Sequence, residues 1–561
     1  MTERQTRMAV VLGAALFVSY AYFYGAGGWN QNSRFAMIRA ILERHTLQID
    51  AYQLHTGDRA FWQGHYYTDK APGAQLLALA PVQVARLIAR AAGVDPASFP
   101  GIAWTSYVAA VVTSGLFTVI AALCVYWLAL RFGASTGAAL FAASAYGVAT
   151  PAWAYATLFM AHGVTAGCLM IAFVAADRLA DSTALTRRSL EWTIGLAGGW
   201  AVVTEFQAAI PAIFIGLLAI DTQRRHSRHR INEAGHAVAS AEPGVRTLIT
   251  RIAFGVAVAA VPLLVYNWLA FGSAFHIGYA SEEGFAELRT GFFGITYPKL
   301  STIRELLFGS YRGLLPLSPL MGVVPLGLGL LWRNGRKGAA LVAAAVGTYY
   351  LLLNASYFYW EGGWAFGPRQ MTTALPFLAL GLAPLWDLGR PAGHGLLLAA
   401  WIWGAGITLV GVSTTPQPPG SIRAPVSELL WPAFRDGDLS LNPQTFVHNS
   451  VDVAHLRGGG DPHAAWNLGE IAGLRGHASL LPLAIVWLSA AALLFLLLPI
   501  RAQRMDRSNS ATPRRTSVFS TPPGRCRRAS RRSKLAQGRV ACSTRCWRVA
   551  SAPVVSRSTR H

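Results

Sequence analysis

Residues 28–73 read GWNQNSRFAMIRAILERHTLQIDAYQLHTGDRAFWQGHYYTDKAPG. Asp50, Asp58, Asp69 and Lys70 stand here between two strongly apolar segments, so a charged and aromatic loop lies where the chain meets a bilayer surface. The rest of the chain supports that frame. Of its 561 residues 53% are hydrophobic and 13% charged, against roughly 25% charged in an ordinary soluble domain. Apolar runs long enough for about 30 Å of hydrocarbon, about 20 residues each, lie near 7–27, 103–130, 153–176, 251–270, 313–332, 338–357, 371–387, 393–413 and 477–499. Shorter or interrupted runs at 72–92, 134–150 and 191–220 bring the expectation to twelve or thirteen crossings. The fold class is an all-α polytopic membrane protein.

Arg4 and Arg7 precede the first apolar run, but that run is longer than a signal-peptide core, and GAGGWNQN is a weak cleavage site. It reads as an uncleaved first helix. The net charge of +22 has a local origin, because residues 501–561 hold 16 Lys and Arg against the lone Asp506. That is a net +15, leaving +7 for the first 500 residues. The tail is rich in Ser, Arg and Pro with no apolar period, which predicts a disordered cytoplasmic extension and gives no reason to expect a specific nucleic-acid partner. Cys124 and Cys168 fall in apolar helices and Cys526, Cys542 and Cys546 in the tail, so neither a disulfide framework nor a zinc-type spacing is present.

Positive charge marks the inner loops. Segments 221–250 and 333–338 and the tail therefore read as inside, and 28–73, 271–312, 358–369 and 414–476 as outside. Keeping Arg178, Arg187 and Arg188 inside makes 72–92 a shallow or returning helix. It also breaks 191–220 near Val203-Thr204-Glu205-Phe206 into two short helices, which brings Thr157 to His162 and Glu205 toward the outer face. Discontinuous helices of this kind surround polar sites in membrane proteins. Residues 414–476, rich in Pro, Gly, His and Asn, are expected to form an outer cap, 477–500 the last crossing and 501–561 the tail.

Within the first loop, Phe35, Ile38, Ile41 and Leu42 recur at helical spacing opposite Arg34, Arg39, Glu43 and Arg44, predicting an amphipathic helix on the membrane surface. Asp50, Asp58 and Asp69 can supply a general base for an acceptor hydroxyl, or ligands for a divalent cation, the one cofactor these residues suggest. Lys70, at a helix entrance before Pro72, is placed to neutralise a phosphate. Arg369 offers a bidentate phosphate contact beside Glu361 and the GGWAFGP turn, and Arg312 is a second candidate. Trp360 and Trp364 can stack on a sugar face. Glu205 is an ionisable group inside an apolar segment, costly unless used or paired, and His162 lies at a helix end facing the same side.

NQNSRFAMIRAIL after the first helix, followed by YYTDKAPG before the next apolar segment, resembles the GT-C superfamily of integral membrane glycosyltransferases. Within it the likeness is to the branch of protein O-mannosyltransferases and lipid A aminoarabinose transferases. The resemblance is clearest over residues 7–80 and extends as topology to about 413, which would make 1–413 the catalytic region. It implies transfer of a sugar from a polyprenyl-phosphate donor to a glycan, lipid or protein acceptor, usually with inversion, on the extracytoplasmic face of the plasma (inner) membrane. Asp69 and Lys70 match the family's acidic-Lys pair, and Lys-Ala-Pro stands for Lys-Pro-Pro. The acidic pair expected just after the first helix is replaced by Asn30, Gln31 and Asn32, which leaves the base to Asp50, by preference, or Asp58. The competing readings are a multi-helix transporter or lipid flippase, and a noncatalytic envelope scaffold.

Overall fold

The computed structural model describes residues 1–234, 244–442, 444–446 and 464–498. Nine residues of the 221–250 loop, the cap residues 443 and 447–463, and the whole basic tail with its three cysteines lie outside the described residues.

The described chain is helical apart from four short strands. Seven helices are long and apolar enough to cross a membrane: Phe99–Arg131, His162–Asp181, Phe206–Arg225, Val245–Phe271, Lys337–Ser356, Pro391–Thr414 and Gly476–Leu497. Arg369–Ala379 and Leu382–Leu388, bent by 43°, make an eighth if taken together. The other expected crossings are also helices but fall short of that standard. Thr136–Val148 and Leu320–Arg333 are apolar and shorter, and Glu3–Ala21, Gly73–Ala91 and Ala184–Thr204 supply the rest.

Local chemistry explains the boundaries. Thr2 and Gln5 form a capping box on the first helix, and Ser98, Ser135 and Thr183 cap three others through their hydroxyls. Gly272, at φ +72°, ends the Val245–Phe271 helix in the left-handed conformation that glycine adopts without strain. The break expected near Glu205 is present. Glu205 is extended, with φ −148° and ψ 118°, but it separates helices of 21 and 26 residues, Ala184–Thr204 and Ala209–Ala234, rather than two short ones. The apolar run 153–176 is interrupted too, into Ala152–Ala156 and His162–Arg178. A wide π-type turn at Val111–Gly115 inside the Phe99–Arg131 span directs Ser114 at that interruption. The Ser114 hydroxyl donates to Met160 O at 2.7 Å and accepts from Met160 N at 3.2 Å, which fixes the start of the helix that carries His162.

The first-loop helix, Trp29–Arg44, is not a surface helix. Arg34 and Arg39 of its expected polar face are as buried as Phe35 and Ile38, because these two arginines find partners, whereas Arg44 at its end is exposed. Arg34 donates to Asn30 Oδ1, Ala71 O and Gln75 Oε1, and Arg39 to Glu43. Strand β1 (Phe23–Tyr24) leaves the first helix and pairs antiparallel with a strand just before the last one, Trp466–Asn467. Asn442 further ties the described part of the cap to the carbonyls of Gly25 and Gly27. Strands β2 (Ala60–Trp62) and β3 (His65–Tyr67) form a hairpin whose turn residues Gln63 and Gly64 both have positive φ.

Two glycines let separate parts of the chain meet at one point. A Cβ on Gly73, the first residue of the helix that follows Lys70, would lie 2.4 Å from Thr204 Oγ1 and 2.8 Å from Thr204 N. A Cβ on Gly278 would meet Asp69 O at 2.9 Å. The Lys70 turn, the Glu205 break and the 272–299 loop are thereby held together. Gly73→Val is expected to lower unfolding stability by about 1–3 kcal/mol through overpacking, measured by denaturant or thermal melts in detergent. Unchanged stability would show that Thr204 has room to move.

Candidate active site

Lys70 sits at the turn between β3 and the Gly73–Ala91 helix, and its ammonium lies between two carboxylates. Nζ is 2.5 Å from Asp69 Oδ2 and 2.8 Å from Asp58 Oδ2, with the lysine side chain 9% exposed. Asp69 is itself anchored: its Oδ1 accepts from the Ser33 hydroxyl at 3.2 Å, and Ser33 shares a 2.8 Å hydrogen bond with Thr68. The first-loop helix thus supplies the support for the acid beside the lysine.

The segment Gly278–Gly284 covers this cluster. The Tyr279 ring centroid is 5.4 Å from Lys70 Nζ. Glu282 makes a backbone bridge to Ala60 and is buried, and its Oε2 has no hydrogen-bond partner among the described residues. The ion pair Arg59 to Glu283, 3.3 Å, pins the segment to the hairpin. Burial alone would pull the Lys70 ammonium down, but Asp58, Asp69, Tyr279 and Glu282 together push it well above its ordinary range. It is a cation at neutral pH. Burial, reinforced by the Asp69 and Asp58 charges, pushes the Glu282 carboxyl up to about 9. Three acids around one lysine cannot all ionise cheaply in so dry a site: burial raises Asp69 as well, against the pull of Lys70, and Glu282, held up to about 9, keeps its proton at neutral pH.

A second polar group faces the cluster from the outer turns. Tyr357, just after the Lys337–Ser356 helix, is within electrostatic reach of Tyr279, Lys70, Arg369 and Asp58. Asp58 also acts on Tyr359. Arg369 opens the turn Arg369–Ala374, and its buried Nε has no hydrogen-bond partner among the described residues. Deeper, His162 Nδ1 lies 2.7 Å from Glu205 Oε1, and the Tyr155 ring meets His162 edge-on at 5.6 Å. Arg34 links the two levels, being in electrostatic reach of Glu205, Asp69 and Asp58.

The expected site residues therefore divide. Asp58, Asp69 and Lys70 come together, Glu205 pairs with His162, and Arg369 faces the same space through Tyr357. Asp50 serves the hairpin: it accepts from Tyr66 N at 2.6 Å, lies 2.8 Å from His65 Nδ1 and is 38% exposed. Arg312 is fully buried and spends its nitrogens on the carbonyls of Glu361, Tyr311 and Gly363 at 2.9, 3.1 and 2.6 Å. It shapes the turn that bears Glu361, whose Oε2 is buried without a partner. Trp360 packs edge-on to Tyr311 at 6.1 Å, and Trp364 is half-buried. Tyr279, Glu282 and Tyr357 were not among the expected residues. The acid pair in GYASEEG within an outer loop was the available signal.

The amides at the place of the family's acidic pair have local duties. Asn30 accepts from Arg34, Gln31 donates to Gln417 at 2.7 Å, and Asn32 donates to His55 O and Thr445 O at 2.7 and 2.9 Å. They lace the first loop to the cap. Among the described residues no group of three or more His, Cys, Asp or Glu is arranged to hold a metal. Where Asp58 and Asp69 converge, the Lys70 ammonium fills the space, so the residues do not fit the divalent cation that the aspartate cluster suggested. A cavity of about 270 Å³, lined by Phe132, Leu330, Leu380 and Asp387 among others, lies away from this cluster, beside the short RNGRKG loop.

Neither a protein-family model nor a curated protein sequence matches the chain. Among solved structures, ArnT from Cupriavidus metallidurans in the apo state aligns with a TM-score of 0.43 and 14% identity, over 73% of this chain and 64% of that one. The same protein bound to undecaprenyl phosphate aligns with a TM-score of 0.44 and 15% identity, over 78% and 70%. The chain thus spans less than two thirds of the length of the apo ArnT chain it aligns with. The chemistry of this chain rests on its own residues.

Because Glu282 is held up to about 9 when folded and has an ordinary value of 4.5, its contribution to stability is fully present below about pH 4.5 and is lost as pH rises toward 9. Denaturant titrations across that window should show a downward slope that flattens in Glu282→Gln. Parallel curves for the two proteins would mean that Glu282 ionises like an exposed carboxylate.

Proposed function

We propose that this chain is a membrane glycosyltransferase of the GT-C type, moving a sugar from a polyprenyl-phosphate donor to an acceptor hydroxyl at the extracytoplasmic face. The observation that carries the reading is the buried Asp58, Lys70 and Asp69 cluster, set at a helix entrance and facing the turn that bears Arg369. Carboxylates and cations in one dry, interfacial site suit a reaction that removes a proton at one end and releases a phosphate at the other.

Asp58 is the base in this reading. It is the acid that faces both Lys70 and the Tyr357–Tyr359 turn, whereas Asp69 is held by Ser33 and Lys70. Asp58 takes the proton of the acceptor hydroxyl as its oxygen attacks the anomeric carbon. The bond from that carbon to the phosphate oxygen breaks, and the phosphate leaves with the electron pair, with inversion. Arg369, whose Nε is uncommitted within the protein, is the first contact for that phosphate, and Lys70 supplies a second cation nearby. Arg312 supports the turn from behind. Glu205 and His162 line the deeper part of the site with Trp360 and Trp364 at its outer edge, where a sugar or acceptor would lie. The acceptor, whether glycan, lipid or protein, is left open by this chemistry, and the setting is a multi-pass protein of the plasma (inner) membrane.

The paired Glu205 and His162 at a helix break favour a second reading, a transporter or lipid flippase. Single substitutions separate the two. Asp58→Asn is expected to lower turnover of a sugar-linked polyprenyl phosphate by about 10²–10⁴-fold, the range for loss of a general base, while Asp50→Asn stays within severalfold of wild type. If Asp58→Asn leaves transfer intact, or if substrate crosses the bilayer without being consumed, the transferase reading fails.

A further inference from the structure

Asn354 is 1% exposed, and among the described residues neither its Oδ1 nor its Nδ2 has a hydrogen-bond partner. Thr372 is 2% exposed, and its Oγ1 is likewise unpartnered among them. The buried Nε of Arg369 and Oε1 of Gln370 bring this set to five, and the Tyr350 hydroxyl, one helical turn before Asn354, is a further such atom. Buried polar groups are nearly always paired, and each one left unmade costs about 1–3 kcal/mol. Five at one junction of the fold call for a reason.

They share one place. Arg369, Gln370 and Thr372 belong to a single turn, Arg369–Ala374, and Asn354 to the last turn of the Lys337–Ser356 helix. On that helix Tyr350 is one turn before Asn354 and so on the same face. Tyr350 meets Thr373 of the Arg369–Ala374 turn and lies within electrostatic reach of Glu205. Asn354 continues that line outward from Glu205, along the turn that Arg369 opens.

The types of atom decide what they fit. A phosphate wants donors only, a metal ion acceptors only, and a hydrocarbon chain neither. Here Asn354 Nδ2 and Arg369 Nε donate, Asn354 Oδ1 and Gln370 Oε1 accept, and the Thr372 hydroxyl does either. Alternating donors and acceptors match a ring of hydroxyls, each of which does both. The only formal charge among the five atoms is the guanidinium, which does not attract an ammonium-bearing sugar; the Glu361 carboxylate, whose Oε2 also lacks a partner among the described residues, belongs to the preceding turn.

We propose that the junction of the Lys337–Ser356 helix with the Arg369–Ala374 turn is a binding subsite for a neutral polyhydroxylated sugar ring, with Asn354, Gln370 and Thr372 as the residues that read its hydroxyls. The assignment rests on the transferase reading only in placing that ring on a polyprenyl phosphate.

The test uses the full chain in lipid nanodiscs and two variants that replace an orphaned polar group with an apolar one of similar shape, Thr372→Val and Asn354→Leu. Binding is measured for a panel of free neutral and amino monosaccharides by saturation-transfer NMR, and for polyprenyl phosphate with and without an attached sugar. A neutral sugar is expected to bind wild type, and each variant to weaken it about tenfold or more. Plain polyprenyl phosphate should bind all three proteins alike. Both variants should melt at the wild-type temperature or above, since no partner is lost. A lowered melting temperature in both variants, or sugar binding that neither variant changes, overturns the subsite. If wild type binds plain polyprenyl phosphate but no sugar in either form, the subsite falls and the transferase reading survives. Binding of free sugar without any polyprenyl phosphate leaves the subsite standing and removes the transferase reading. Binding of neither removes both.

Discussion

The ammonium of Lys70 between Asp58 and Asp69 is the contact on which the surrounding end of the bundle depends. At 2.5 and 2.8 Å each pair is worth about 6 kcal/mol at an effective dielectric of about 20, while burying each ion costs several kcal/mol. One carboxylate would roughly offset the burial of the lysine. Two carboxylates hold it firmly, but they leave the cluster net negative and raise the demand on its surroundings. The fold meets that demand with neutral donors, a second cation and a retained proton. Ser33 and Thr68 support Asp69, Arg34 acts from one layer away, and Glu282 retains a proton. The first-loop helix is therefore an internal element, buried because its polar face carries these supports.

The same constraint accounts for the backbone breaks. A cluster of charge can approach the bundle only where apolar helices stop, and the chain stops them at three places around it. Glu205 is extended between two long helices, residues 157–161 separate Ala152–Ala156 from His162–Arg178, and the helix Lys337–Ser356 stops ahead of the Arg369–Ala374 turn. Each break presents a polar side chain: Glu205, His162 and Arg369. The close approaches at Gly73 and Gly278 draw the lysine turn against the first break and the covering loop. Glu205, His162 and Arg369 therefore sit where helices or turns begin or end, while Asp58 lies in the loop ahead of the strand Ala60–Trp62.

Much of this was legible in the sequence, and the misses have physical causes. Apolar run length located the helices, and keeping Arg178, Arg187 and Arg188 on one side of the membrane located the Glu205 break. Asp69 and Lys70 next to Pro72 marked the entrance. Local pattern could not reveal which loop aspartate faces Lys70. Asp50 and Asp58 look alike in sequence, but the hairpin claims Asp50 through Tyr66 N and His65. Helical periodicity assigned the arginines of the first loop to water, whereas Arg34 is buried because Ala71 and Gln75 meet it from elsewhere in the fold, and Arg39 is buried with Glu43 of its own helix. Arg312 has the chemistry of a phosphate ligand, yet backbone carbonyls 49 and 51 residues away take its donors. Glu282 and Asn354 emerge only once distant segments are brought together.

The central claim is that the Lys70 cluster performs sugar transfer, and one measurement bears on it most directly. Purified full-length protein in lipid is incubated with a panel of polyprenyl-phosphate sugars and a mixed set of hydroxyl acceptors, and donor and polyprenyl phosphate are followed together. The account predicts that at least one donor is consumed, with one polyprenyl phosphate released for each sugar transferred. A folded protein that consumes none of the donors would contradict it.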